Sequence, residues 1–104
     1  MQKKLKVILI IQMDVDPEME EEFNRWYEEE HIPMLMQVPG VLSARRCISQ
    51  GENPKYVTIY EHKNIDVQKS RSYQKALETE WTKRIRPHLK NFTKRVLFQI
   101  YPNP

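Results

Sequence analysis

The stretch that decides the fold is KLKVILIIQM, Lys4 to Met13. Val and Ile favour extended backbone, where branched side chains pack on a pleated surface. The apolar residues run unbroken from Val7 to Ile11 instead of alternating with polar ones. That pattern belongs to a strand covered on both faces. In a chain of 104 residues, helices can cover only one face of a sheet, so the other face needs a different cover.

Outward from this strand, Asp14-Val15-Asp16-Pro17 reads as a helix start, with Asp16 as the cap and Pro17 at the first helical position. Glu18, Glu20, Glu21 and Glu22 follow near the positive end of the helix dipole. Met19, Phe23, Trp26 and Tyr27 fall at helical spacing on one face. Pro33 disfavours helical geometry at Ile32, which predicts a helix end near Glu30-His31 and a short further turn over Met34 to Met36. Pro39-Gly40 is a turn. Val41 to Ser49 reads as a second strand, and Gln50 to Pro54 as the turn into a third, Lys55 to His62. In that third strand Tyr56, Thr58, Tyr60 and His62 share one face, and Val57, Ile59 and Glu61 the other. Asp66 is the expected cap of a second helix, about Val67 to Leu77. A further piece, about Thr79 to Arg86, is stopped by Pro87, and Thr93 to Tyr101 is the last strand.

The order is βαββαβ over a single expected domain, residues 1–104. This is the ferredoxin-like α+β pattern: a four-stranded antiparallel sheet with its helices on one face. A second copy, pairing the bare faces as a homodimer, is the natural cover for strands that are apolar on both sides.

Apolar residues make up 39% of the chain and charged residues 30%, which is globular rather than disordered composition. The net charge of +3 is spread among acidic residues with no long Lys/Arg run, so no nucleic-acid partner is expected. Cys47 is the only cysteine, which excludes an intramolecular disulfide and a Cys-rich metal site; a reducing, cytoplasmic location is the expectation. The first residues resemble a signal peptide in having lysines before an apolar run. That run is too short, and Asp14 and Asp16 stand where small residues would be needed. No stretch is long enough to span a bilayer, so no membrane partner is expected. With only Gly40 and Gly51, the chain lacks a phosphate-cradling loop.

The run WYEEEHIPMLMQVPGVLSARR, Trp26 to Arg46, resembles small proteins of the dimeric α+β barrel superfamily, EthD-like ones among them. Such proteins carry a W-x-x-E-H-x-P motif, then a Pro-Gly-hydrophobic turn into a strand. Gly51 to Ile59 and the aromatic second helix are similar as well. The resemblance implies a dimer and a broad range of activities: cofactor-free monooxygenases, polyketide cyclases, lactone isomerases and haem-degrading enzymes. Fold likeness does not choose among them.

His31 is the first candidate for chemistry. It stands four residues after Tyr27, at the edge of the apolar helical stripe, and an imidazole exchanges protons near neutrality. It equally fits a plain helix end, where the dipole favours a histidine. Glu30 is adjacent and points elsewhere on a helix, which argues against a Glu30–His31 dyad. Trp26, Tyr27, Tyr60, Tyr73 and Trp81 are expected to line an aromatic pocket, although each also fits ordinary core packing. Arg45 and Arg46 alternate sides on the second strand, so one faces inward or toward the dimer partner, and a solvated strand end fits them as well. The expected catalytic set is His31, with Tyr60 and Arg45 steadying an enolate-like oxygen. Met34, with Met36, suggests an adaptable apolar pocket mouth. His62 and His88 lack the carboxylate spacing of a metal site, so no metal is expected, and Cys47 reads as a small core residue.

The function these residues imply is His-based acid/base chemistry on a small, apolar, aromatic, lactone or polyketide-like molecule, with no cofactor required. A non-catalytic ligand-binding or assembly module is the alternative, favoured if the aromatics leave no cavity. A haem-handling protein with one axial histidine is the third.

Overall fold

The computed structural model describes residues 4–51 and 54–103. β1 (Val7–Val15) lies between β3 (Tyr56–His62) and β4 (Leu89–Phe98), and β2 (Val41–Ile48) pairs with the far edge of β3. All the pairings are antiparallel, giving the order β2-β3-β1-β4 of a ferredoxin-like α+β sheet.

The register explains the unbroken apolar run of β1. Val7, Leu9, Ile11 and Met13 stand opposite His62, Tyr60, Thr58 and Tyr56, on the face that the helices cover. Ile8 and Ile10 stand opposite Glu61 and Ile59 on one side and Leu97 and Arg95 on the other, on the opposite face. β3 alternates buried and half-buried residues along its whole length.

The ends of β1 and β4 differ from the sequence expectation. β1 continues to Val15, because Asp14 and Val15 pair with Lys90 and Leu89 beyond a register shift. Asn91 takes a φ of 55° at that irregularity, so β4 begins at Leu89 rather than Thr93. A bulge of this kind re-aims the side chains that follow it. Asp16 does not cap the turn Pro17–Met19. Its carboxylate is taken by His88 Nδ1 at 2.9 Å and Lys90 Nζ at 2.7 Å.

The first helix also runs on past its expected end. α1 (Glu20–Trp26) passes through a π-helical turn, Tyr27–His31, into α2 (Ile32–Met36), with Ile32 itself in right-handed helical geometry. Proline in a regular helix clashes with the carbonyl four residues back and removes one hydrogen bond. Here the Ile32 N–H donates five residues back, to the Tyr27 carbonyl, and the widened turn absorbs Pro33. The second helical region is three short pieces: a 3-10 turn at Ile65–Lys69, α3 (Arg71–Ala76) and α4 (Glu80–Ile85). Their caps are Asn64, Ser70 and Thr79, whose side chains accept the Asp66, Tyr73 and Thr82 N–H groups. Asp66 is not a cap; it pairs with Lys4 and, at 3.9 Å, with Lys69.

Between helices and sheet the core falls into two clusters. One gathers Leu9, Leu35, Val41, Tyr60, Val67 and Tyr73; the other gathers Met13, Phe23, Trp26, Tyr27, Tyr56 and Ile85. Gly40, at φ +94°, closes the turn into β2 against the first cluster, where an added Cβ would lie 2.5 Å from Val67 Cγ2. No helix among the described residues is long and apolar enough to cross a membrane.

Candidate functional site

A cavity of about 220 Å³ opens at the seam of the two clusters. Ile11, Met13, Trp26, Tyr27 and His31 form its inner wall; Tyr73, Leu77 and Thr82 form the wall from α3 and α4. Arg86, Leu89, Phe92 and Lys94 stand around the rim. The aromatics therefore do not fill the interior.

The π-helical turn sets the inner wall. In a regular α-helix, residues five apart point roughly 140° away from each other. In the wider turn His31 comes back over Trp26, five residues earlier, with ring centroids 4.4 Å apart and planes 23° apart. It also meets the edge of Tyr27 at 5.2 Å. The Trp26 indole N–H donates to Thr82 Oγ1 at 3.1 Å. That oxygen lies 2.8 Å from Thr79 Oγ1, which donates to a Glu30 carboxylate oxygen at 2.7 Å. Glu30 is thus committed to α4, and no Glu30–His31 pair forms.

His31 is 8% exposed, and its Nδ1 is buried without a hydrogen-bond partner. Desolvation pushes its pKa down to about 4, so the ring is neutral at pH 7. Burial raises the Tyr27 and Tyr73 hydroxyls above the usual phenol range and keeps them protonated. Tyr60 is raised as well, again chiefly by burial; its hydroxyl lies beside that of Tyr27 without a hydrogen bond of normal geometry. His62 is fully buried with both ring nitrogens unpartnered, edge-on to Tyr73 at 5.6 Å; burial lowers its pKa, and the charge of Lys94 adds to the effect.

Of the residues expected from sequence, Trp26, Tyr27, His31 and Tyr73 come together on this cavity. The others lie elsewhere. Tyr60 sits behind the wall, in the first core cluster. Trp81 is outside, its indole N–H on Glu22 at 3.2 Å and the guanidiniums of Arg25 and Arg84 over its ring. Met34 lines a separate shallow groove with Gln37, Ser72 and Lys75. Arg45 is exposed, opposite Ile59 on the bare face of the sheet, and the inward arginine is Arg46. The cause is a bulge between Val41 and Ser43: Val41 points inward, and after the bulge Ala44, Arg46 and Ile48 do so instead of Ser43, Arg45 and Cys47. Arg46 lies over the Tyr27 ring at 4.6 Å and donates to Glu28 at 2.7 Å and Asn24 at 2.8 Å, so it braces the wall from behind. Cys47 is exposed rather than part of the core.

Thr82, Arg86, Phe92 and Lys94 also line the cavity and carry no motif in the sequence. Phe92 and Lys94 alternate on β4, and Phe92 precedes the expected start of that strand at Thr93. Asp16, Glu18 and His88 form the one cluster among the described residues with ligand atoms close enough for a cation. Lys90 already neutralises Asp16 there.

A family model described as a domain of unknown function (DUF4286) matches residues 6–100. No curated protein sequence matches the chain. Several solved structures share the fold. A candidate antibiotic biosynthesis monooxygenase from Nitrosomonas europaea is 13% identical, with 100% of this chain and 99% of that one aligned at a TM-score of 0.71. A candidate monooxygenase from Shewanella loihica PV-4 is 18% identical, covering 95% and 98% at 0.70. SnoaB, a cofactor-independent oxygenase from Streptomyces nogalater, is 16% identical, covering 95% and 99% at 0.59. At these identities the likeness establishes the fold alone. The W-x-x-E-H-x-P spacing is not kept here: Tyr27, Glu28 and Glu29 separate Trp26 from Glu30, one residue more than the motif, and the π-helical turn spans that stretch.

Proposed function

The chain belongs to the DUF4286 family, and from that premise we propose that it is a small-molecule enzyme whose base is His31. The observation that carries this reading is a neutral, buried imidazole on the wall of an apolar cavity, stacked on Trp26. The imidazole needs no prior deprotonation at pH 7. Its low pKa also makes it a weak base, so it suits a substrate with an acidified O–H or C–H bond. The first step is transfer of that proton to an imidazole nitrogen, leaving imidazolium beside the substrate anion. The Tyr27 and Tyr73 hydroxyls, protonated in their buried setting, are the donors on hand for a developing oxyanion.

The cavity is smaller than the roughly 300–1,000 Å³ of sites for drug-sized ligands, which favours a molecule of one or two rings. The names of the fold relatives, monooxygenases and a cofactor-independent oxygenase, support the same class of chemistry. For the haem-handling alternative, both nitrogens of His62 are buried and His88 Nδ1 is held by Asp16, which leaves His31 as the candidate axial ligand. Absence of a Soret shift on adding haem removes that alternative.

We further propose a homodimer that buries Ile8, Ile10, Val57, Ile59 and Leu97 on the bare sheet face, and a cytoplasmic location, consistent with the exposed thiol of Cys47. Light scattering is expected to give twice 12.6 kDa at micromolar concentration; a mass of 12.6 kDa contradicts the dimer.

The test of the enzyme reading is turnover of a panel of hydroxynaphthalenes and aryl lactones by wild type and His31→Gln, with folding checked by circular dichroism. Loss of about 10²–10⁴-fold in the variant is expected for a general base. A folded variant with unchanged turnover removes His31 from the mechanism.

A further inference from the structure

The rim of the cavity has a charge that the wall does not. Among the described residues its formally charged lining is Arg86 and Lys94, both cationic, with no carboxylate. Arg86 follows α4 in the 3-10 turn Arg86–His88. One of its N–H groups donates to the Leu77 carbonyl at 3.0 Å, and its only ion-pair neighbour among the described residues is the exposed Glu78, at 4.0 Å. Lys94 lies across the mouth on β4, opposite Ile11, on the face the helices cover. Among the described residues it makes no ion pair, as Lys63 and Lys75 do not, whereas Lys4, Lys6, Lys55, Lys69, Lys83 and Lys90 do. The register shift beside Asn91 sets the facing of this part of β4, and Phe92 lines the same mouth while more than half exposed.

These placements describe a site with two ends. Deep inside are flat rings and methyl groups; at the rim are two cations with no acid between them. A purely apolar ligand gains nothing from the rim and leaves both cations as they were in water. A ligand with an anionic group at one end meets them in a mouth where apolar walls weaken solvent screening.

We propose that the cavity selects small amphiphilic anions, a flat one- or two-ring apolar body carrying a single carboxylate or comparably acidic oxygen, with Lys94 as the principal anion-binding residue and Arg86 as the second. This deepens, and rests on, the reading of the cavity as a small-molecule site. Such a ligand places its ring against Trp26 and Tyr27 and its acidic group at the rim.

The test compares 2-naphthoate with 2-naphthamide, its neutral counterpart of nearly the same shape, by isothermal titration calorimetry at low salt and pH 7. The naphthoate is expected to bind about tenfold more tightly. That preference should shrink at high salt, fall to about twofold or less in Lys94→Gln combined with Arg86→Gln, and return in Lys94→Arg. Lys75→Gln, on the separate groove with Met34, removes the same net charge and should leave the preference intact. If both probes bind equally well, or if the double variant keeps the preference, the anion-selective rim is overturned and the cavity reading stands. If neither probe binds, the cavity reading fails and the rim assignment fails with it.

Discussion

The imidazole of His31 lies nearly parallel to the indole of Trp26, with ring centroids 4.4 Å apart, and the two residues are five positions apart in a helix. The π-helical turn Tyr27–His31 makes that stack possible, and the contacts of Trp26 with Thr82 and of Glu30 with Thr79 tie the turn to α4. One widened turn therefore accommodates a proline, orients an imidazole and forms one wall of a cavity.

Acid sensitivity follows from the burial of His31. Its pKa is about 4 in the folded chain against about 6.5 when unfolded, so the unfolded state binds the proton first. The contribution of this group is whole above pH 6.5 and is lost as pH falls from 6.5 towards 4. The loss reaches about 3 kcal/mol. His62 is shifted in the same direction by its burial and adds to the trend. Urea unfolding of wild type and His31→Gln at pH 7 and pH 4.5 checks this: the variant should lose distinctly less stability on acidification, and equal losses contradict the burial of a neutral ring.

His62 is expected to be dispensable for stability. Both its nitrogens are buried without partners, and an unsatisfied buried polar group costs roughly 1–3 kcal/mol. His62→Leu, close in volume, should be neutral or stabilising by about 1 kcal/mol in chemical denaturation. A loss above about 2 kcal/mol would mean that the ring does have a hydrogen-bonded role.

Gly40 is constrained twice, by its φ of +94° and by Val67 Cγ2 at 2.5 Å from an added Cβ. Gly40→Ala should cost roughly 2 kcal/mol, seen as a lower thermal midpoint. Adding Val67→Ala relieves the contact but not the backbone strain, so rescue should be incomplete. Full tolerance of the single change contradicts the turn geometry.

Arg46 braces Tyr27 from behind through its ring and through Glu28 and Asn24. Arg46→Ala should cost about 1–2 kcal/mol. Arg46→Lys should recover less than half of that, because a lysine lacks the planar fork that both stacks and donates to two partners. Double-mutant cycles with Glu28→Gln separate the ion pair from the stack.

The fold could be read from the sequence because its strongest signal is period. The unbroken run Val7 to Ile11 and the strict alternation from Tyr56 to His62 each allow one placement of a strand. Irregularities carry no period and were missed. The bulge between Val41 and Ser43 exchanges Arg45 for Arg46, and the irregularity beside Asn91 lets β4 begin at Leu89, which brings Phe92 into the strand ahead of its expected start at Thr93. Pro33 ends an ordinary α-helix, and the π-helical turn that tolerates it has no signature in composition. Trp26, Tyr27, His31 and Tyr73 were legible as a set because they sit on two helical stripes facing one sheet. The caps at Asn64 and Ser70 compete locally with neighbouring Asp66, and only the backbone path decides between them.

The central claim, a neutral His31 on the wall of a ligand cavity, is most directly tested by NMR of the His31 imidazole, assigned by its loss in His31→Gln. The ring resonances should titrate with a midpoint near 4 in the free protein and shift when 2-naphthoate is added at pH 7. A midpoint near the ordinary value of about 6.5, with no response to the probe, would contradict the account.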